Sequence, residues 1–188
     1  VRTLRKANVP GGAVDIIVGG TPCVGFSSAG RRLHFDDPQS GLFSHFLRLA
    51  DELQPKALFI ENVPGILSEL EELRKQLVVK RKYQLRWCVL PAYAVGAPQE
   101  RTRFFALATR KDFAFPPALV GAKDRPHDWD PRKAPPRTAQ RPAGAAGADW
   151  DVRLAMLGNA VVPDCVRLAA CYLVSGGRCS EAAPRTLG

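Results

Sequence analysis

The sequence predicts an α/β fold with a mainly parallel sheet and flanking helices. Short apolar runs alternate along the chain with amphipathic stretches of helical spacing, an order that is typical of a layered α/β sheet. The length of 188 residues suits one domain. Because ligands bind outside the carboxyl ends of the strands in such sheets, polar residues that follow a predicted strand are the first candidates for a functional site.

Four apolar runs are predicted to form strands, over residues 13–18, 57–60, 83–92 and 104–109. Helical spacing of apolar residues predicts three helices, over residues 41–53, 66–79 and 163–174. Pro55 ends the first helix, and Pro163 suits the first turn of the last one. The first strand is closed by Gly19-Gly20 and the second by Glu61-Asn62.

Composition divides the chain into four predicted parts. Residues 1–112 form the α/β portion, and residues 113–149 form a linker rich in Pro and Arg that lacks periodicity. A turn and a helix are predicted over 150–175, followed by a tail over 176–188.

The charge and cysteine content indicate the kind of partner and compartment. A net charge of +9, concentrated over residues 75–86 and 125–141, favours a polyanion such as nucleic acid, although a merely solubilising charge is an equal alternative. The sequence contains no apolar run of transmembrane length and no signal peptide, so we expect no membrane partner. The five cysteines lack zinc-ligand spacing, which predicts no metal and a reduced, intracellular protein of the nucleus, cytoplasm or nucleoid. Three of them are expected to be core or near-core thiols: Cys88, Cys165 and Cys171.

Two side chains stand out beyond the first two predicted strands. Cys23 follows Pro22 in a loop rich in Gly and Ser, where it is either a nucleophile or an incidental thiol. The nearby His34 lies in a polar loop and gives little support to a Cys-His pair. Glu61 directly follows a buried run, so it requires a polar pocket or a partner, unless it is a helix N-terminal acid.

Arg101 and Arg103 alternate at the start of the fourth predicted strand. Residues two apart in a strand point to the same side, so both guanidinium groups could face one cleft. The simpler interpretation is a pair of solvated arginines.

Four short motifs, taken in order, resemble the cytosine carbon-5 DNA methyltransferase family. They are Pro22-Cys23-Val24-Gly25-Phe26-Ser27, Glu61-Asn62-Val63, Gln99-x-Arg101-x-Arg103 and Gly158-Asn159-Ala160-Val161-Val162-Pro163. The resemblance covers residues 13–109 and 150–174. It implies a partial Rossmann-like S-adenosylmethionine-dependent methyltransferase fold, with 1–112 as its catalytic portion and double-stranded DNA as its partner.

The resemblance also implies a mechanism and a set of catalytic residues. A cytosine flipped out of the duplex would be attacked at carbon 6 by the Cys23 thiolate, and carbon 5 would then accept a methyl group from S-adenosylmethionine. Glu61 would hold the cytosine edge, Arg103 would reach the base carbonyl oxygen, and Arg101 would neighbour the nucleophile or the phosphates. Ser27 is similar to a phosphate-contacting serine of the family.

The cofactor contacts implied by the resemblance are Pro22, Leu42 and Asn159. Asn62 and Val63 are expected to set the loop geometry. The family's glycine-rich cofactor loop is not recognisable upstream of Ala13. We therefore expect the chain to begin just before the fourth strand of the family sheet, and to need a complementing N-terminal half or chain.

The second departure lies at residues 113–149, where the family inserts a target-recognition domain. This segment is a linker or a reduced version of that domain, and its basic residues suit phosphate contacts without base readout. Three interpretations stay open: a DNA methyltransferase fragment or split-enzyme half, a tRNA cytosine methyltransferase, and a non-catalytic nucleic-acid-binding remnant.

Overall fold

A computed structural model describes residues 2–20, 41–97, 101–115 and 161–176. Its four strands are β1 (Ile16–Gly20), β2 (Ala57–Asn62), β3 (Gln84–Pro91) and β4 (Thr102–Thr109). Its α-helices are α1 (Gly41–Leu53), α2 (Leu70–Arg74) and α3 (Pro163–Val174). A π-helix spans Lys75–Lys80, and 3-10 helices span Lys6–Asn8, Pro10–Gly12, Pro64–Glu69 and Ala92–Val95.

The four strands form one sheet in the order β1-β2-β4-β3. β1 pairs parallel to β2, whereas β4 pairs antiparallel to both β2 and β3. Strands β1, β2 and β3 therefore run in one direction, and β4 is inserted between two of them in the opposite direction. The segment between β3 and β4 is too short for the crossover that a parallel pair requires, which explains the direction of β4.

The hydrophobic core occupies both faces of the sheet because alternate strand residues point to opposite sides. In β2, Leu58 and Ile60 pack with the layer that contains α1 and α2. Phe59, like Ala57, packs with α3 on the other face. The strands consequently lie between two helical layers, as the predicted flanking helices require.

Helix α1 connects β1 to β2 and packs directly on the end of β1. A Cβ atom placed on Gly19 would lie 2.8 Å from the ring of Phe46, so the aromatic ring rests against bare backbone. β1 is the edge strand of the described sheet, and its other face is open: Val18 is 70% exposed.

The α/β class, the four strands and the flanking helices are confirmed, and α1 and α3 have the predicted bounds. The predicted helix over 66–79 is instead a succession of 3-10, α and π segments. The sheet was predicted to be mainly parallel, and three of the four described strands run in the same direction while β4 is antiparallel. Glu61 and Asn62 lie inside the last two positions of β2, not beyond its end.

The predicted linker and the Gly158-Asn159-Ala160 turn lie almost wholly outside the described residues. Of the predicted linker, the structure describes residues 113–115. Phe113 and Phe115 contact each other there and pack against the α3 face of the core. Among the described helices, no helix is long and apolar enough to span a membrane.

Candidate functional site

The candidate site lies at the edge where β1, β2 and β3 end and β4 begins, which we call the carboxyl edge. Register places Gly20 opposite Glu61, Asn62 opposite Phe104, and Pro91 opposite Thr102. The last residues of three strands and the first of the fourth are thereby brought together. This edge is where ligands bind in α/β sheets.

Glu61 and Arg103 form an ion pair at the carboxyl edge. Arg103 Nε lies 3.0 Å from Glu61 Oε1, and both side chains are mostly buried, with exposed fractions of 16% for Arg103 and 19% for Glu61. Both side chains lie on the face of the sheet that packs against α3. Glu61 follows Phe59, which packs on that face, by two positions in β2. Glu61 is therefore a strand residue with an arginine partner and not a helix N-terminal acid.

The environment of Glu61 favours its protonated form. Burial raises the pKa of the carboxyl above its usual value of 4.5, and this effect outweighs the opposing charges of Arg103 and Arg101. A carboxyl group with a raised pKa keeps its proton to a higher pH than an ordinary glutamate, which favours donation of a proton or a hydrogen bond.

Arg101 is half-buried and completes a cluster of three charged side chains. Its carbonyl oxygen accepts a hydrogen bond of 2.7 Å from the Ala92 backbone, which ties the residue to the turn after β3. Burial lowers the pKa of the Arg101 guanidinium, as does the charge of Arg103, while Glu61 opposes the shift. Arg101 and Arg103 are thus not the solvated pair of the simpler interpretation.

Helix α3 begins at the same edge. Cys165, in its first turn, has its thiol 3.9 Å from the Pro91 carbonyl oxygen at the end of β3. At its other end, the Leu173 carbonyl accepts a hydrogen bond of 3.1 Å from Arg86, near the start of β3. The segment that leads into α3, with Val162 buried, therefore arrives at the carboxyl edge.

The thiols within the described residues are structural. Cys165 is buried, and Cys88 and Cys171 are half-buried, which confirms the prediction of core or near-core thiols. Burial raises the pKa of Cys88 and of Cys165 to about 11. At neutral pH both groups are almost entirely protonated, so neither has the thiolate character that a nucleophile requires.

Three of the predicted catalytic residues, Glu61, Arg101 and Arg103, are brought together. Of the cofactor contacts, Leu42 lies in the first turn of α1 and is half-buried. Asn62 is buried, and its Oδ1 accepts a hydrogen bond of 2.8 Å from the Val63 backbone, as expected of a residue that sets loop geometry. Outside the described residues lie Pro22, Cys23, Ser27 and Asn159.

Sequence reasoning missed Gly20 as part of the site. A Cβ atom on Gly20 would lie 3.0 Å from Glu61 Oε2, so the glycine borders the carboxylate directly. The signal was present as the Gly19-Gly20 pair at the end of a strand, because an interior glycine marks a close approach by another group.

Leu42 allows a limited test of the cofactor expectation. The crossover from β1 to β2 directs the start of α1 toward the carboxyl edge, so a half-buried aliphatic side chain is available there. Such a side chain fits an apolar wall of a nucleoside-sized ligand. Leu42 agrees in its chemistry with the predicted contact to S-adenosylmethionine, which stays a prediction.

Comparison with known proteins identifies the family. A family model for the C-5 cytosine-specific DNA methylase matches residues 1–140. The chain therefore belongs to the C-5 cytosine-specific DNA methylase family.

Two relatives agree with this assignment, and a solved structure shares the fold. The chain is 35% identical to the type II methyltransferase M.CviJI of Paramecium bursaria Chlorella virus IL3A, over 87% of the chain and 43% of that protein. It is 34% identical to the type II methyltransferase M.AquIA of a Picosynechococcus species, over 68% of the chain and 57% of that protein. The chain thus spans about half the length of these relatives. A solved Entamoeba histolytica methyltransferase has the same fold, with a TM-score of 0.50, 22% identity and coverage of 61% of this chain and 38% of that one.

Proposed function

We propose that the chain is the catalytic portion of a DNA cytosine-5 methyltransferase, which transfers a methyl group to carbon 5 of a flipped cytosine. The observation that carries the proposal is the cluster of Glu61, Arg103 and Arg101 at the carboxyl edge. A mostly buried carboxyl group between two arginines is costly to maintain unless it serves a ligand, since a hydrophobic pair would cost less. The family membership supports the cytosine as that ligand.

Glu61 would bind the Watson–Crick edge of the cytosine. Its raised pKa suits a carboxyl group that donates a proton toward ring nitrogen 3 and accepts a hydrogen bond from the amino group. Arg103, held against Glu61, would donate a hydrogen bond to the base carbonyl oxygen. Such a pocket is accessible only to a base that has left the duplex stack.

Cys23 would be the nucleophile. It follows Gly20 by three residues, so the covalent chain limits the distance between their Cα atoms to about 11 Å. Gly20 pairs with Glu61, which ties the start of the Cys23 segment to the base pocket. Arg101 and Arg103 contribute positive charge at this edge, which favours a thiolate.

The proposed reaction proceeds through a covalent bond between Cys23 and the cytosine. The Cys23 thiolate would bond to carbon 6, and the electron pair of the 5,6 double bond would form a double bond between carbons 4 and 5. The electron pair of the former double bond between nitrogen 3 and carbon 4 would take the proton of Glu61. Carbon 5 would then take the methyl group, whose bond to the sulfonium sulfur of S-adenosylmethionine would break with the electron pair remaining on sulfur, and nitrogen 3 would return its proton to Glu61. Loss of the carbon-5 proton to a base and departure of the Cys23 thiolate restore the double bond.

S-adenosylmethionine would supply the methyl group, with Leu42 on one wall of its site and Pro22 and Asn159 as further contacts. A complementing N-terminal half or chain would complete this site. The open edge and exposed Val18 of β1 support this addition, because an apolar edge strand accepts another strand readily. Ser27 would contact a phosphate beside the flipped nucleotide.

The test is covalent trapping. A duplex containing 5-fluorocytosine, incubated with the full-length protein and S-adenosylmethionine, should yield a stable adduct because fluorine blocks the loss of the carbon-5 substituent. Cys23→Ser should abolish the adduct, Glu61→Gln should reduce it strongly, and Cys171→Ser, in a half-buried position of α3, should leave it unchanged. An adduct formed by the Cys23→Ser protein would overturn the assignment.

Two alternatives predict different outcomes. A tRNA cytosine methyltransferase would form the adduct with fluorinated tRNA and not with the duplex. A non-catalytic remnant would bind DNA and form no adduct with either substrate. Calorimetry with S-adenosylmethionine distinguishes the non-catalytic remnant from the proposed enzyme, because the enzyme requires binding of the cofactor.

A further inference from the structure

The two oxygens of the Glu61 carboxylate have different neighbours. Oε1 lies 3.0 Å from Arg103 Nε. Oε2 lies on the other side, against the bare backbone of Gly20, where a Cβ atom would be 3.0 Å away. The carboxylate therefore occupies the space between a guanidinium group on β4 and a strand residue that has no side chain.

We propose that Gly20 is a positioning residue: by lacking a side chain, it allows the Glu61 carboxylate to remain against Arg103. A separation of 3.0 Å between a Cβ atom and an oxygen is tighter than nine in ten real Cβ contacts. A side chain at position 20 would therefore require Glu61 Oε2 to move by a few tenths of an ångström. Because both oxygens belong to one rigid plane, a displacement of Oε2 also displaces Oε1 and alters its 3.0 Å contact with Arg103.

The backbone gives no other reason for a glycine at this position. Gly20 lies in an ordinary strand conformation, whereas the positive-φ glycines are Gly11, Gly12, Gly96 and Gly176 among the described residues. Glycine weakens a strand relative to alanine because it loses more conformational freedom on folding. The space that the Glu61 carboxylate occupies explains why a glycine is present here although it weakens the strand.

Gly19 provides a matched comparison because its constraint is of another kind. A Cβ atom on Gly19 would lie 2.8 and 2.9 Å from carbon atoms of the Phe46 ring, in the core between β1 and α1. Phe46 is a rigid core residue, whereas the Glu61 carboxylate is the end of a flexible side chain. Alanine at position 19 should therefore disturb folding, and alanine at position 20 should disturb only the site.

The inference deepens the proposed function and rests on it only for the role of Glu61 toward the base. Its test is an NMR titration of the Glu61 carboxyl carbon in the chain without DNA or cofactor. Arg103→Gln should raise the pKa of Glu61 in the protein with Gly20, because it removes the opposing charge. In the Gly20→Ala protein the same substitution should raise the pKa less than half as much.

If the Arg103→Gln protein folds poorly, a second NMR resonance tests the positioning role of Gly20. The Arg103 Nε–H resonance in Gly20→Ala should move toward its position in Glu61→Gln, where the ion pair is absent. Urea unfolding should show Gly20→Ala as stable as the unmodified protein and Gly19→Ala clearly less stable.

The proposal fails if the pKa increase is the same with Gly20 and with alanine, or if the Arg103 resonance does not move. It also fails if Gly20→Ala unfolds as readily as Gly19→Ala. None of these measurements uses the 5-fluorocytosine adduct. A protein that forms no adduct but shows the expected NMR changes would reject the proposed function and retain the positioning role.

Discussion

Arg103 reaches Glu61 diagonally across the antiparallel pairing of β4 with β2. The direct register partner of Glu61 is Phe105, and Arg103 lies two residues from it on the same face of the sheet. The 3.0 Å contact between Nε and Oε1 follows from this diagonal placement, which lies within the reach of a long side chain. The pairing register of two core strands thus determines the geometry of the site.

Glu61 should make the stability of the protein fall as pH rises. Its pKa in the folded protein lies above the usual 4.5, so between these two values the folded state holds more protons than the unfolded state. Ionisation of Glu61 is therefore unfavourable in the folded state, and the loss of stability is complete above the folded pKa. Glu61→Gln should remove this pH dependence. Denaturation of both proteins from pH 4 to pH 8 measures it, and parallel curves would contradict it.

Cys88 and Cys165 should react slowly with iodoacetamide. With a pKa of about 11, each thiol holds far less thiolate at pH 7.5 than a free cysteine. We expect labelling about a hundredfold slower than that of a free thiol, with rates that continue to rise above pH 9. Peptide mapping by mass spectrometry resolves each residue. Rates that level off near pH 8.5 would show that these thiols are not desolvated.

Tyr83→Phe should destabilise the protein by about 1–3 kcal/mol, because it leaves a buried carbonyl oxygen without its partner. The Tyr83 side chain is 2% exposed, and its hydroxyl donates a 2.7 Å hydrogen bond to the Pro55 carbonyl oxygen. Tyr93→Phe is the matched control, since Tyr93 is 69% exposed and should change stability by less than about 0.5 kcal/mol. Equal effects of the two substitutions in urea unfolding would refute the prediction.

The basic stretch at residues 125–141 should bind DNA phosphates without sequence preference. Replacing Arg132, Arg137 and Arg141 with Gln should make the plot of log binding constant against log salt concentration shallower by up to about 0.9 for each lost contact. Fluorescence anisotropy at several salt concentrations measures the slope. Replacing Arg2 and Arg5, which lie in the exposed N-terminal segment, provides a control. An unchanged slope would remove the stretch from the interface.

Helical spacing and breakers were sufficient to predict α1 and α3. The apolar face that includes Phe43, Phe46 and Ala50 is repeated at helical intervals, and all three side chains are buried. The same signal failed to resolve the helical region after β2. Leu73 and Leu77 are fully buried there, but a spacing of four residues suits both an α-helix and a π-helix. The choice between them depends on tertiary packing.

Three members of the candidate site were predicted from the sequence, but their geometry was not. The motifs identified Glu61, Arg101 and Arg103, but alternation along one strand cannot show which residue of a neighbouring strand comes into contact. That contact depends on the insertion of β4 between β2 and β3, a long-range pairing without a local sequence signal. The role of Gly20 was missed for the same reason, since its neighbour Glu61 is 41 positions away in the sequence.

The exposed edge of β1 has a consequence for work with the purified chain. Within the described sheet, the peptide groups on the outer side of β1 would accept a strand from another copy, and the exposed Val18 side chain would add an apolar contact. Self-association would then compete with every binding partner, and measured affinities would depend on protein concentration. Titrations of cofactor or DNA should accordingly be repeated at several dilutions, with the sedimentation behaviour recorded at each one.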